Sequence, residues 1–392
     1  LFRVGDFYET FHDDAIKTSK ILGIILTKRG SGSNKETKLA GFPHHALKNY
    51  LHKLVRAGQR VAICDQLEDP KTTKSIVKRG VTELITPGVS LNDEVLEKRS
   101  NNFLAAIFNS NDNYGISLMD ISTGEFISAQ GTLDYIKNLL QSFDPKEVII
   151  PKKNRNEFSN ILRNFKSIFY MDEWVFKKDF ATQKIYNQFD VKSLKGYGLE
   201  DKDLCLITCG AILHYLDETK HDKLSHVTSI RLIHNNDYMW MDRFTIRNLE
   251  IFRSNSKEGV TLIDVIDKTS SPMGARMLKR WIVQLKINKN ELNFRHDGVS
   301  YLKDNCDFNE TQILILNSLS DLERITAKIA SFKISPRELV QLKENLIAIG
   351  PMINQLRLTK NKSLIKISKS LDRCEGLTKI LEKTIQDDAP VN

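Results

Sequence analysis

The spacing of apolar residues changes at about Asn236, and this change limits the folds open to the chain. Before Asn236, short runs that alternate apolar and polar residues are separated by segments of helical spacing, a pattern typical of α/β domains. After it, apolar residues recur at helical spacing, as between Ile313 and Ile329 and between Leu339 and Ile349, which indicates amphipathic helices. The sequence therefore predicts α/β structure followed by a helical region.

The length of the chain divides this pattern further. A chain of 392 residues is too long for one hydrophobic core. We predict a small mixed α/β domain over residues 1–101, an α/β domain over 102–236 that opens with a meander, and a helical domain over 237–392. Helices of the last domain are predicted to begin at Pro272 and Pro336, because each proline follows a serine that can cap a helix.

The same periodicities locate individual elements. Alternation predicts strands, and helical spacing predicts helices. The predicted strands before Asn236 are residues 1–4, 24–27, 61–66, 81–86, 103–108, 114–121, 125–129 and 147–150. The predicted helices in the same part are residues 13–22, 45–57, 133–142 and 201–219. We assign no element to residues 151–200.

The charge balance favours a polyanionic partner. The formal net charge is +9, and residues 1–100 hold 17 Lys and Arg against 12 Asp and Glu. The positive excess is therefore concentrated in the first domain. A basic surface attracts nucleic acid through the phosphates, although the excess alone does not identify the partner.

Cysteine spacing and hydropathy bear on the cellular compartment. The cysteines at 64, 205, 209, 306 and 374 include no CxxC pair, which disfavours a disulfide framework and a zinc site. No apolar run has the length of a membrane span, and we expect no signal peptide. We expect a cytoplasmic protein with no bound metal in this chain.

A short motif near the start, Gly5-Asp6-Phe7-Tyr8-Glu9, sets an aromatic ring two residues from a carboxylate. On a strand both side chains would face the same way. A destacked DNA base, which is flat and polar, would suit such a pair. The alternative is that the Phe7–Tyr8 pair packs in the core, as aromatic rings usually do.

Several segments together resemble one protein family, the MutS family of bacterial DNA mismatch sensors. The matching segments, in chain order, are Val4–Phe11, Leu26–Gly30, Ala40–Ala46, Met241–Asp242, Arg247–Glu250, Pro272–Trp281 and Asp321–Arg324. The resemblance implies a mismatch-recognition domain, a ribonuclease-H-like connector, and an incomplete helical core at the start of the lever. It thus covers nearly the whole chain.

The resemblance also implies roles for individual residues. Phe7 would be the wedge inserted into the minor groove of mispaired duplex DNA, and Glu9 would hydrogen-bond to the wedged base. Val4 and Asp6 would line the groove beside them. These assignments imply that the chain initiates DNA mismatch repair by binding, with no catalytic residue of its own.

A basic pair, Lys28 and Arg29, precedes Gly30 at a predicted strand end. In a basic domain such a pair suits sequence-independent phosphate contacts. A solvated loop is the alternative. Both residues are therefore candidates for binding the DNA backbone.

No GxxxxGK[ST] pattern occurs in the 392 residues, so we expect no ATP hydrolysis by this chain and no cofactor in it. The chain begins at Leu1 rather than Met, and we expect a fragment. The resemblance implies that the full-length parent binds ATP and Mg²⁺, acts as an ATPase and forms a homodimer. It also implies that a MutL-type repair protein binds the connector.

Two other classes of function stay open at this point. A metal-dependent nuclease would need clustered carboxylates; Asp120 and Glu125 lie on neighbouring predicted strands, but two acids do not complete a two-metal site. A repair scaffold that docks other proteins through residues 102–236 is the second alternative. His44 and His45 carry no nucleophile signature, so we do not assign them a catalytic role.

Overall fold

The computed structural model describes residues 1–29, 37–68, 77–239, 241–256 and 258–389. The chain forms two compact units. The first unit is Leu1–Glu97 with Asn102–Leu232, and the second is Lys98–Asn101 with Ile233–Asn392. The short segment Lys98–Asn101 therefore belongs to the helical unit, although the sequence pattern places it at the end of the first domain.

The first part of the first unit is a six-stranded sheet with two helices on one face. Its strands are β1 (Phe2–Val4), β2 (Phe7–Phe11), β3 (Thr27–Arg29), β4 (Thr37–Pro43), β5 (Val61–Gln66) and β6 (Arg79–Ile85). Its helices are α1 (His12–Leu22) and α2 (Leu47–Arg56). The strand order is β3-β4-β2-β1-β5-β6, and neighbours are antiparallel except for the parallel pair β1 and β5.

Only one face of this sheet is covered by the core. Along β2 burial alternates, with Tyr8 and Thr10 buried and Phe7 exposed. This is expected for a strand with one solvent-exposed face. Tyr8 packs in a cluster that includes Leu51 and Leu54 of α2. The outer face of the sheet, which carries Phe7, is left uncovered by α1 and α2.

The second part of the first unit is another six-stranded sheet. Its strands are β7 (Leu104–Ser110), β8 (Asn113–Asp120), β9 (Glu125–Gly131), β10 (Glu147–Pro151), β11 (Ile168–Met171) and β12 (Arg231–Leu232). Its helices are α3 (Leu133–Phe143), α4 (Arg155–Leu162), α5 (Lys178–Phe189) and α6 (Asp203–Glu218). The order is β11-β10-β7-β8-β9-β12, in which β7, β8 and β9 form the predicted antiparallel meander.

Helix α6 is almost wholly buried against this sheet. A glycine on β8 permits the close approach, because a Cβ at Gly115 would lie 2.7 Å from the carbonyl oxygen of Leu204. Any larger residue at position 115 would therefore force the helix away from the sheet.

A buried carboxylate joins the two sheets into one unit. Glu147 of β10 accepts hydrogen bonds from the Thr86 hydroxyl, from the Gly88 backbone N–H at 3.1 Å and from the Tyr215 hydroxyl at 2.7 Å. Thr86 and Gly88 follow β6, and Tyr215 lies on α6. Burial, with Glu147 beside it, raises the pKa of Tyr215 above its usual range, so the phenol stays protonated as the donor.

The second unit consists mainly of helices. Its helices are α7 (Arg243–Asn248), α8 (Leu262–Ile266), α9 (Pro272–Val283), α10 (Lys289–Asp304), α11 (Cys306–Ser318), α12 (Leu322–Ala330), α13 (Pro336–Leu358), α14 (Lys362–Ser370) and α15 (Glu375–Thr384). A short pair of strands, β13 (Tyr238–Met239) and β14 (Leu285–Lys286), accompanies them. The predicted helix starts are confirmed: Ser271 and Ser335 cap α9 and α13, each followed by proline in the first turn.

An ion cluster fixes α9 within the second unit. The guanidinium of Arg276, which is 2 % exposed, donates to both carboxylate oxygens of Asp321 at 2.7 Å and to Glu323 at 2.6 Å. It also donates to the carbonyl oxygen of Lys98 at 3.0 Å. The segment Lys98–Asn101 is thus held by the same side chain that joins α9 to the start of α12.

The mixed α/β and helical fold class is confirmed, with local corrections. The apolar recurrence from Ile313 to Ile329 is split between α11 and α12, because the chain is extended at Leu319 and a new helix is capped by Asp321. The strand predicted at 24–27 lies at Thr27–Arg29. In the stretch 151–200, to which no element was assigned, α4, β11 and α5 are present. No helix among the described residues is both long and apolar enough to cross a membrane.

Candidate nucleic-acid interface

The Gly5–Glu9 motif forms a tight hairpin turn and the strand that follows it. Strands β1 and β2 pair with Val4 opposite Phe7 and with Phe2 opposite Glu9. Gly5 in the turn has φ of +59°, a conformation that glycine adopts without steric cost. The turn therefore makes Phe7 the first residue of β2.

Phe7 and Glu9 share the outer face of the first sheet, as the strand period predicts. The Phe7 side chain is 46 % exposed, whereas its neighbour Tyr8 is 4 % exposed. The register also brings Phe2, which is 48 % exposed, and half-buried Val4 onto this face. Core packing therefore accounts for Tyr8 and leaves Phe7 accessible to a ligand.

Hydrogen bonds from within the hairpin and from outside it hold its turn. The carbonyl oxygen of Asp6 accepts from the backbone N–H of His44 at 2.8 Å and lies 3.1 Å from the His44 ring nitrogen Nδ1. Arg3 donates from Nε to the carbonyl oxygen of Gly5 at 2.7 Å. Arg79 of β6 donates to the carbonyl oxygen of Arg3, also at 2.7 Å. Asp6 itself is exposed.

The residue beside Phe7 is anchored inside the sheet. The Tyr8 hydroxyl donates to Oδ1 of Asp65 on β5 at 2.7 Å. Burial and this hydrogen bond raise the pKa of Tyr8 to about 12. The phenol is therefore a protonated donor at neutral pH, and it fixes the strand segment on which Phe7 and Glu9 project.

The predicted basic pair divides between the two faces of β3. Lys28 is exposed and pairs in register with Lys38, while Arg29 pairs with Thr37. Consecutive strand residues occupy opposite faces, so positions 28 and 29 belong to opposite faces of β3. Thr27 pairs with Leu39, and Leu39 pairs with Phe11 of the outer face. Position 29 lies two residues after Thr27 and is therefore on the outer face.

The carboxylates that a nuclease would use have structural partners. Asp120, at the end of β8, is fully buried and accepts hydrogen bonds from the backbone N–H groups of Asn102 and Ser122 and from the Ser122 hydroxyl. Glu125 lies 3.4 Å from Arg231. No group of three or more His, Cys, Asp or Glu residues arranged to hold a metal ion occurs within the described ranges.

Three residues of the outer face or its support were not assigned from the sequence: Phe2, Gly41 and His44. Phe2 could have been found, because it stands two residues before Val4 on the same strand and so faces the same way. Gly41 and His44 could not, since their places beside Glu9 and Asp6 depend on pairing between distant segments.

Comparison with known proteins gives one family throughout. The model of MutS domain I matches residues 1–94, that of MutS domain II matches residues 102–228, and that of MutS domain III matches residues 244–392. Curated relatives bearing the name DNA mismatch repair protein MutS include those of Flavobacterium johnsoniae, 54% identical, and Christiangramia forsetii, 50% identical, both over 392 residues. The relative from Bacteroides fragilis is 48% identical over 394 residues. These alignments cover 100% of the chain but 45% of each relative.

Proposed function

We propose, from the premise that this chain belongs to the MutS family, that its outer sheet face recognises mispaired or unpaired bases in duplex DNA and so initiates mismatch repair. The observation that carries the proposal is the exposure of Phe7, a large ring at 46 % on a face that the core leaves uncovered. Phe7 is the first residue of β2, and the next residue, Tyr8, donates a hydrogen bond to Asp65. A ring that is exposed on a fixed backbone is suited to insertion between bases.

The physical basis of discrimination is the ease with which a mispaired step is deformed. Inserting an apolar side chain from the minor groove costs a few kcal/mol of base stacking, and stacking a base on an aromatic ring returns about 1–3 kcal/mol. A mispaired step stacks poorly and kinks easily, so the cost falls there. The near balance between cost and return allows a small defect to decide whether Phe7 enters.

The neighbours of Phe7 supply the remaining contacts in this proposal. Glu9, on the same face, would hydrogen-bond to the wedged base, and Val4 and Asp6 would line the groove at the hairpin. Lys28 and Arg29 would contact phosphates from the edge of the sheet.

For the second sheet we propose a ribonuclease-H-like connector that binds a MutL-type repair protein. The meander of β7, β8 and β9 continues, on the far side of β7, into the parallel strands β10 and β11, which supports this fold. The Asp120 carboxylate accepts hydrogen bonds from Asn102 and Ser122 within the fold. This structural role favours docking over a nuclease. A pull-down with the MutL-type protein, with and without mispaired DNA, tests the docking.

The chain spans 45% of the length of the curated relatives, so the activity of the whole protein is also a proposal. We propose that the full-length protein is an ATPase that uses ATP and Mg²⁺, forms a homodimer and acts in the cytoplasm at the nucleoid. Its helical third domain would be the core from which the lever begins.

The test is a titration of the chain against duplexes that differ by one mispair. The unsubstituted chain, called the parent below, is expected to prefer the mispaired duplex. Phe7→Ala is expected to remove the preference while leaving weak, salt-sensitive binding to both duplexes. Trp174→Ala is the matched control, since Trp174 is an aromatic residue of similar exposure, 47 %, and lies between β11 and α5, away from the first sheet in sequence. Equal binding of the parent to both duplexes would refute the proposal.

A further inference from the structure

Glu9 has an unusual set of neighbours on the outer face. Along β2 it lies between Phe7 and Phe11, which share its face. Across the sheet it pairs with Phe2 on β1 and with Gly41 on β4. Three of these four neighbours are therefore aromatic, and the fourth has no side chain.

The side chain of Glu9 approaches the space above Gly41. A Cβ built on Gly41 would lie 3.2 Å from Cγ of Glu9 and 2.9 Å from the carbonyl oxygen of Tyr8. Carbon atoms in good contact are about 3.5–4.0 Å apart, so a methyl group at position 41 would press on the Glu9 side chain. The shorter distance, to the Tyr8 carbonyl oxygen, means that the backbone of β2 would have to shift as well. The glycine thus provides room for the first part of the Glu9 side chain.

The opposite side of Glu9 is occupied by aromatic rings. The rings of Phe2 and Phe11 lie with centroids 5.8 Å apart, and directly opposed residues on neighbouring strands have Cβ atoms about 4.5–5.5 Å apart. The Glu9 side chain therefore has a wall toward β1 and an opening toward β4. Its direction follows from the difference in size between Phe2 and Gly41.

We propose that Gly41 is a positioning residue for recognition: it sets where the Glu9 carboxyl group lies and thereby the preference for mispaired over matched duplex. This inference rests on the proposed function of the Phe7–Glu9 face. A hydrogen bond to a base requires a heavy-atom separation of about 2.5–3.2 Å and good alignment. A displacement of Glu9 by a few tenths of an ångström weakens that geometry, and no atom of Phe7 is among the three nearest to a Cβ at position 41.

The test compares the ratio of the two dissociation constants, matched over mispaired duplex, in the 392-residue chain by fluorescence anisotropy. The variants are Gly41→Ala, Gly41→Val, Glu9→Ala and the double variant with Gly41→Ala and Glu9→Ala. Gly80→Ala is the matched control, because Gly80 lies on β6 of the same sheet and a Cβ there meets Cδ1 of the exposed Leu67 at 3.0 Å. Thermal unfolding of each variant reports on folding.

Gly41→Ala is expected to lower the ratio by about the same factor as Glu9→Ala, on the order of tenfold for the loss of a hydrogen bond to a charged group. Gly41→Val should lower it at least as far, and Gly80→Ala should leave it unchanged. In the Glu9→Ala background, Gly41→Ala should lower it no further. A further fall there would mean that position 41 acts through the backbone of β2, and would overturn the inference.

A second variant keeps the test decisive if Gly41→Ala fails to fold. Phe2→Ala removes the opposite wall, so Glu9 gains a second direction and the ratio of the two dissociation constants should fall. An unchanged ratio in Phe2→Ala overturns this inference alone. So does an unchanged ratio in a folded Gly41→Ala if Glu9→Ala lowers the ratio. Retention of the full ratio in Phe7→Ala would instead overturn the proposed function.

Discussion

The carbonyl oxygen of Asp6 lies 2.8 Å from the backbone nitrogen of His44 and 3.1 Å from the ring nitrogen Nδ1 of the same residue. This one acceptor ties the turn of the β1–β2 hairpin to the end of β4. Two segments more than 30 positions apart in sequence are thereby held together at the residue that precedes Phe7.

Replacing His44 should loosen this turn. His44→Ala removes the side-chain hydrogen bond and keeps the backbone one, so we expect the dissociation constant for mispaired duplex to rise about threefold to tenfold, the value of one hydrogen bond. His45→Ala is the control, because His45 is an exposed residue of the same short turn. An equal effect of both replacements would contradict the assigned role of the His44 ring.

The Tyr8–Asp65 hydrogen bond should be visible in the pH dependence of stability. The pKa of Tyr8 is raised to about 12 in the folded chain, so the unfolded chain loses this proton first as the pH rises. Between about pH 10, the ordinary value for tyrosine, and pH 12, the free energy of unfolding should therefore fall.

The replacement that isolates this effect is Tyr8→Phe. Urea unfolding at neutral pH should show a loss of about 1 kcal/mol for the hydrogen bond, and a series from pH 9 to 12 should show a shallower decline than in the parent. The buried Tyr215, whose pKa is raised as well, leaves part of the decline in place. A slope identical to that of the parent would show that Tyr8 is not the titrating group.

Backbone contacts should respond to salt and not to the mispair. Lys28→Gln is expected to weaken binding to matched and mispaired duplex by the same factor and to reduce the salt slope by about one unit. Lys153→Gln, at an exposed lysine of the second sheet's domain, serves as the control for net charge. If Lys28→Gln changed the ratio of the two affinities, its assignment as a phosphate contact would be wrong.

The ion cluster of the second unit should be sensitive to loss of its cation. Arg276→Met removes the buried partner of Asp321 and Glu323, and breaking a buried ion pair costs about 3–5 kcal/mol. Chemical denaturation of the second unit measures this. Arg357→Met, at an exposed arginine of α13, should change stability little, and a similar loss in both variants would argue against the cluster as the cause.

Local signals made part of this fold predictable from the sequence. The shared face of Phe7 and Glu9 and the serine caps before Pro272 and Pro336 each depend on residues within a few positions of one another. Such signals locate an element and its buried face without knowledge of its partners.

Features that depend on distant partners were not predictable. The stretch 151–200 forms α4, β11 and α5, although it is rich in charged residues, because β11 pairs with β10, α5 packs on α6, and Phe158 of α4 lies against Tyr114 of β8. The segment Lys98–Asn101 joins the second unit through side chains such as Arg276. At the candidate site, the place of Gly41 beside Glu9 follows from the pairing of β2 with β4, which no local pattern specifies.

The proposed function depends on entry of the Phe7 ring into the base stack at a mispair. The most direct measurement places 2-aminopurine beside a single mispair and follows its fluorescence as the chain is added. Emission is expected to rise with the unsubstituted chain, as the fluorescent base leaves its stacked neighbour, and to stay unchanged with Phe7→Ala at concentrations that saturate the DNA. The same rise with Phe7→Ala, or no rise with the parent on saturated duplex, would contradict the claim.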